Sequence, residues 1–288
     1  LSRRYLLWLI GPLLVLGIGC NASPAAPSEP VATATRPAVT LTLASAELSA
    51  TPVVLRPLPD TGWQEIRAGL DYRVRRWFDA NGQTTETMHI LRLDPAAFEL
   101  RVAYAPGAPL SVKEWATQTG ALITVNAGFF TAEYRATGLV IADGVSYGSS
   151  YTGFGGMVAA GPEGIEVRSL EEQPYDPAET LYAAVQSFPM LVRSGGVLGY
   201  PEEDGIPSRR TVIGVDQIGR IVIMICPNGT FTLHTLALEL LQSDLNLYAA
   251  LNLDGGTSAG LWADSRELQV RIPSLVAVPT VMLIDARR

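Results

Sequence analysis

Hydrophobic and polar positions alternate along much of the chain after Trp63. Tyr72 to Phe78, Met88 to Leu93 and Phe98 to Tyr104 carry the two-residue rhythm of strands with one buried face. Asp94-Pro95 separates the last two, which predicts an antiparallel pair. Ala121 to Val125 and Ala183 to Leu191 are continuous apolar runs of the kind buried strands make, the second broken only by Gln186 and Ser187. Ser208 to Val215 and Ile221 to Ile225 predict a hairpin turning near Gly219, and Asp143-Gly144 marks another. The period lengthens to that of a helix in two places. Ser111 can cap a short helix that runs through Thr119, with Val112 and Trp115 on one face and Gly120 as its stop. Thr232 to about Ser243 predicts a longer one, through Leu233, Leu236, Ala237, Leu240 and Leu241. Residues Glu163 to Asp176 predict a surface excursion. Many short strands with few helices and no internal repeat give an α+β class: a single domain of mixed or antiparallel sheets.

One stretch breaks its own pattern. Ala249 to Leu253 is an apolar strand, and it stops at Asp254-Gly255-Gly256-Thr257-Ser258. Sites are often built where strands end. The paired glycines permit positive φ and close approach of a ligand to the backbone. Successive N–H groups in such a turn form a concavity suited to an anion, and Thr257 and Ser258 add hydroxyl donors. An ordinary tight turn accounts for the same residues, since Asp-Gly is a common turn dipeptide.

The N-terminus changes the picture of where the protein works. Arg3 and Arg4 precede an apolar run from Tyr5 to Ile18, closed by Gly19 and Cys20. That order describes an export signal, and Cys20 after a small residue matches a bacterial lipoprotein signal. The run is shorter than the roughly 20 residues of a membrane-spanning helix, the alternative reading. We therefore expect a signal over residues 1–20 with Cys20 lipidated, which would hold an exported protein at a membrane. Residues 21–60, rich in Ala, Pro, Ser and Thr, read as a disordered linker, and 61–288 as the folded domain. Cys226, in an apolar run, reads as a core residue. The 21 basic residues against 28 acidic ones argue against a nucleic-acid partner.

Three segments in order carry a resemblance: Asn126-Ala127-Gly128-Phe129-Phe130, Arg210-Thr211-Val212-Ile213-Gly214-Val215-Asp216, and Leu251-Asn252-Leu253-Asp254-Gly255-Gly256-Thr257-Ser258. Together they resemble the phosphodiester glycosidase family, which includes the lysosomal uncovering enzyme that removes N-acetylglucosamine from a sugar phosphodiester. The resemblance runs from about Trp63 to the C-terminus. It implies an α+β domain with these motifs converging on one pocket, and a sugar-phosphate or glycan substrate. Ala127, Thr257 and Cys226-Pro227-Asn228-Gly229 depart from the family pattern.

The chemistry then suggests roles. Breaking a sugar C1–O bond builds positive charge on the ring, so a carboxylate should face it as nucleophile or as base for water. Asp254 is the candidate. A phosphate leaving group is already anionic and calls for charge stabilisation, which Arg210 can give with a two-pronged contact. Gly255, Gly256, Thr257 and Ser258 would hold remaining oxygens, and Asn126 and Gln186 sugar hydroxyls or an acetamido group. Each residue has a plainer reading. Arg210 could be an edge charge with Arg209 pointing the opposite way, and Gln186 could satisfy buried backbone. Glu133, near the first segment, could be a second carboxylate, with a loop charge as its plainer reading, and Glu239 reads as a solvated charge on a helix face. His89 and His234 show no paired metal spacing, so no cofactor is expected to be required, while calcium on carboxylates and carbonyls stays open. The same residues would serve an exported lipoprotein that binds anionic glycans without cleaving them; a third function, a phosphodiesterase that cuts the P–O bond, would be expected to use metal ligands, which the sequence does not show.

Overall fold

The computed structural model describes residues 58–203 and 205–287. The expected signal, Cys20 and nearly all of the expected linker lie outside them. Along the chain come β1 (Gln64–Arg67), β2 (Leu70–Phe78), β3 (Thr84–Leu93) and β4 (Phe98–Tyr104), then helix α1 (Val112–Thr119) and β5 (Ile123–Asn126). Short strands follow: β6 (Val140–Ala142), β7 (Val145–Tyr147), β8 (Gly156–Gly161), β9 (Gly164–Ser169), β10 (Ala183–Ser187) and β11 (Met190–Arg193). The last third holds β12 (Val197–Leu198), β13 (Arg210–Asp216), β14 (Ile221–Cys226), α2 (Leu233–Gln242), β15 (Leu247–Asn252), β16 (Leu261–Asp264), β17 (Gln269–Ile272) and β18 (Thr280–Ala286).

The strands form three antiparallel sheets. An eight-stranded sheet runs β1-β2-β3-β14-β13-β15-β11-β12. The two five-stranded sheets run β7-β6-β10-β8-β9 and β17-β16-β5-β18-β4. Alternation along each strand decides what lies between them. In β13, Ile213 joins the central core shared by all three sheets. Its neighbour Val212 faces the other way, into a second cluster that Leu236, Ala237 and Leu240 of α2 cover. Helix α1 closes the outer side of the β5 sheet with Val112 and Trp115. Both helices begin and end close to where the capping residues predict. Ser111 and Thr232 form capping boxes, and Gly120 stops α1 in the left-handed region at φ 66°.

Three expectations need correction. Strands β3 and β4 do not pair: β3 lies between β2 and β14, and β4 pairs with β18. The chain turns a corner at Asp94-Pro95 and enters another sheet. The run Ala183 to Leu191 is likewise two strands, because β10 pairs with β6 and β8 while β11 pairs with β15 and β12. The break is at Phe188-Pro189, where proline has no N–H for a ladder. The expected surface excursion contains β9, which pairs with β8 and buries Val167 and Leu170. Residues 58–60 are hydrogen-bonded to β2. Arg76 donates to the carbonyls of Leu58 and Pro59, and Arg73 Nε meets the Asp60 carboxylate at 2.9 Å.

Candidate active site

The turn after β15 is stitched to its surroundings on both sides. Leu253 N donates to Thr211 O at 2.9 Å and Gly256 N to Arg209 O at 2.8 Å, so β13 borders one side. Asp254 N donates to Ala127 O at 3.0 Å, so the loop after β5 borders the other. One side chain ties these segments together. Asn126 is fully buried. Its Nδ2 donates to Asp254 O at 2.6 Å, and its Oδ1 accepts from Thr211 Oγ1 at 2.8 Å and from Gly260 N at 3.0 Å. The three sequence segments therefore converge on one amide. Asn126, expected to contact the sugar, has no exposed surface in this structure, and its side chain is engaged with the turn.

The glycines serve the turn itself. A β-carbon on Gly255 would come within 2.6 Å of Arg209 O, and Gly256 has φ 54°. Gly256–Ser258 form a single 3-10 turn. Three of the N–H groups expected to cradle an anion have partners within the turn and its neighbours. Gly256 N is engaged with Arg209 O, Ser258 N with Gly255 O, and Gly255 N–H with the Asp254 carboxylate. Thr257 is exposed at the rim, where its carbonyl accepts from Leu275 N at 2.7 Å.

Asp254 is left half-buried in this frame, and among the described residues it forms no ion pair. Burial pushes its carboxyl up to about 6, against the Ser258 side chain and the Gly255 N–H, which favour the anion. Ser258, only 6% exposed, is thus a direct partner of the carboxylate.

Arg210 stands across the ladder from Asp254, between the two backbone bonds that β13 makes to the turn. Its guanidinium nevertheless turns into the fold. Nε donates to Phe231 O at 3.1 Å and Nη2 to Ile206 O at 2.6 Å, and the residue is 8% exposed. Arg209 does point the opposite way, and that way is toward the turn. Its Nη2 donates to Ala259 O at 2.8 Å and Pro273 O at 3.0 Å. Among the described residues Arg209 makes no ion pair, and burial lowers its pKa. Gln186, 1% exposed, accepts from Leu139 N and Tyr151 N through Oε1 and donates to Ser150 Oγ through Nε2. Its side chain thereby holds the loop that carries Tyr151.

The phosphodiester glycosidase family pattern matches residues 119–284, more than half of the chain, and spans all three segments. The protein belongs to the phosphodiester glycosidase family. Solved structures share the fold. The catalytic domain of zebrafish N-acetylglucosamine-1-phosphodiester alpha-N-acetylglucosaminidase, auto-inhibited by its pro-peptide, superposes with a TM-score of 0.59 at 20% identity. The match covers 76% of this chain and 84% of that one. A hypothetical protein from Synechocystis gives 0.52 at 16% identity, over 76% of this chain and 62% of that one. No curated protein matches by sequence.

Within this phosphodiester glycosidase, three further features border the turn. Arg209 is one, and its direction was legible from strand alternation alone. Glu86 is the second: fully buried, it accepts from Thr87 N, Asn228 N and Thr230 N. It thereby shapes the divergent Pro227-Asn228-Gly229 loop, and Gly229 packs against Ser208 and Arg209. No sequence signal marks a carboxylate that binds loop amides 140 residues away. The third is a group of aromatic rings, Phe129, Tyr151, Phe154 and Phe188, drawn from three loops. A cavity of about 690 Å³ opens elsewhere, beside β8 and β9. Its Arg168 is already matched by Glu166 and Glu179 at 2.7 Å, so the reactive centre is better placed at Asp254, where the three segments meet.

Proposed function

We propose that the protein hydrolyses the glycosidic bond of a sugar-1-phosphodiester, with Asp254 as the reactive carboxylate. The observation that carries this reading is the position of Asp254: a half-buried carboxylate without an ion pair, at the strand end where all three family segments converge. The carboxylate attacks C1 or activates a water that does so. The C1–O bond breaks and its electron pair stays on the phosphate oxygen. Water supplies the hydroxyl on C1, and the products are the free sugar and a phosphate monoester. The monoester has a second pKa of about 6, so it leaves without needing a strong general acid. Ser258 and Gly255 orient the carboxylate. Arg209 meets the phosphate in place of Arg210, which acts as a positioning residue by anchoring the carbonyls of Phe231 and Ile206. No cofactor takes part in these steps. A chelator should leave turnover intact, and a loss restored by zinc or manganese would contradict that.

Hydrolysis of an N-acetylglucosamine-1-phosphodiester in ¹⁸O-water tests the bond. Label on the sugar hydroxyl supports the reading, and label on the phosphate would mean P–O cleavage. Unchanged substrate, tightly bound, would favour the glycan-binding alternative.

We further propose that the chain is exported and lipidated at Cys20, as its basic start, apolar run and Gly19-Cys20 suggest. Among the described residues no helix is long and apolar enough to cross a membrane. Mass spectrometry of the membrane-fraction protein should find a chain beginning at a diacylated Cys20. An intact N-terminus would contradict it.

A further inference from the structure

Aromatic rings are exposed on loops around the corner at Phe188-Pro189, whose backbone is hydrogen-bonded to Asn252 at the end of β15. Phe154 is 48% exposed and Phe188 38%. Tyr151 links them, with ring centroids 4.7 Å from Phe154 at 31° and 5.8 Å from Phe188 at 75°. Phe129 packs on Phe188 at 4.6 Å. Exposed aromatic clusters of this kind mark binding surfaces.

Two of the four rings are rooted on backbone that is bonded to the strand of Asp254. Asn252, two residues before it, donates through Nδ2 to Phe188 O at 2.9 Å and through its N–H to Pro189 O at 3.0 Å. Ala127, which accepts from Asp254 N, lies two residues before Phe129. The other two rings sit on a loop that is fastened down. Tyr151 N donates to Gln186 Oε1 at 2.8 Å, and Tyr151 Oη shares a 2.7 Å hydrogen bond with Thr137 Oγ1. A β-carbon on Gly155 would meet Ser187 O at 2.6 Å, so the loop lies flat against β10.

We infer that Phe154, Phe188 and Tyr151 form the stacking subsite for a pyranose ring, an assignment that rests on Asp254 being the reactive carboxylate. A pyranose has an apolar face of C–H bonds polarised by neighbouring oxygens, which suits the negative face of an aromatic ring. It also has hydroxyls around its edge. The platform has a polar group at its edge: Thr137 Oγ1 donates to Phe129 O at 3.2 Å and accepts from the Tyr151 hydroxyl at 2.7 Å, which leaves Tyr151 Oη to accept from a sugar hydroxyl. An acyl chain would need a groove without such a group. The Gln186 side chain then serves the sugar indirectly, by holding the Tyr151 loop.

Calorimetric binding to the full chain tests this without turnover, using methyl N-acetyl-α-glucosaminide as a sugar without phosphate and decyl phosphate as an apolar chain without sugar. The glycoside should bind wild type, and about tenfold more weakly to Phe154→Ala. Phe154→Trp should retain the affinity, and both variants should still melt cooperatively within a few degrees of wild type, since about half of Phe154 is exposed. Equal glycoside affinity in Phe154→Ala, absence of glycoside binding, or binding of decyl phosphate alone would each overturn the subsite. Asp254→Asn should still bind the glycoside. Should Asp254→Asn keep turnover while Phe154→Ala loses affinity, the carboxylate assignment fails, and the rings remain a sugar-binding surface but no longer a subsite of a centre at Asp254.

Discussion

Holding Asp254 ionised in a half-buried turn costs stability. Its folded pKa of about 6 lies above the unfolded value near 3.8, so the folded state binds the proton more tightly. The stabilising contribution is complete below pH 4 and is lost as pH rises through 6, about 2–3 kcal/mol in all. Asp254→Asn should therefore melt roughly 5 °C higher than wild type at pH 8 and show no such advantage at pH 3.5. Thermal melts at the two pH values check this, and equal Tm at pH 8 would mean the carboxylate is not strained. The same pKa sets the rate profile. A nucleophile or base must be ionised, so kcat/KM should fall about tenfold per unit below pH 6. A profile that instead falls above pH 6 would make Asp254 a general acid. The two arginines should separate by substrate. Arg209→Ala should lower kcat/KM on a sugar-1-phosphodiester by roughly ten- to a hundredfold while sparing an aryl glycoside with a neutral leaving group. Arg210→Ala should lower both alike, because it loosens the Ile206 and Phe231 carbonyls. The reverse pattern would return the phosphate to Arg210. From the sequence, Asp254, Ser258 and the two glycines are legible because a polar cluster after a buried strand is unusual. The roles of Asn126 and Gln186 are not, because an amide that binds substrate and one that binds backbone have the same one-letter code and differ only in burial.

At the level of elements, the supports of the site are loops fixed by side chains from distant strands. Glu86 of β3 binds three backbone N–H groups, two of them in the loop after β14. Removing it takes away three hydrogen bonds to a charged acceptor at the part-buried base of that loop, each contributing up to about 1.5–3 kcal/mol. Glu86→Ala should lower the urea midpoint clearly and reduce activity on both substrate types, with Glu86→Gln intermediate because one amide oxygen can still accept. A Glu86→Ala variant as stable as wild type would show that the loop holds itself. Helices α1 and α2 and the β13–β14 hairpin were readable from caps, period and turn residues, which act locally. The pairing of β3 with β14, the corner at Asp94-Pro95 and the division of residues 183–191 between two sheets were not. Strand partners are chosen by burial across the whole domain, and an apolar run looks the same in either sheet.

For the whole molecule, three sheets share one core, and their strand ends bring residues 126, 209–211 and 252–258 to one place. Order along the chain revealed that these segments belong together, and the fold shows how: through the Asn126 side chain and the backbone on either side of Asp254. The family's glycosidase character and this convergence point to one centre, which a single kinetic comparison can test. The measurement is kcat/KM of wild type and Asp254→Asn on an N-acetylglucosamine-1-phosphodiester and on a p-nitrophenyl glycoside, with circular dichroism to confirm folding. Loss of at least about a hundredfold on both substrates, in a folded variant, is the expected result. Activity within a few-fold of wild type on either substrate would contradict Asp254 as the carboxylate that breaks the sugar bond.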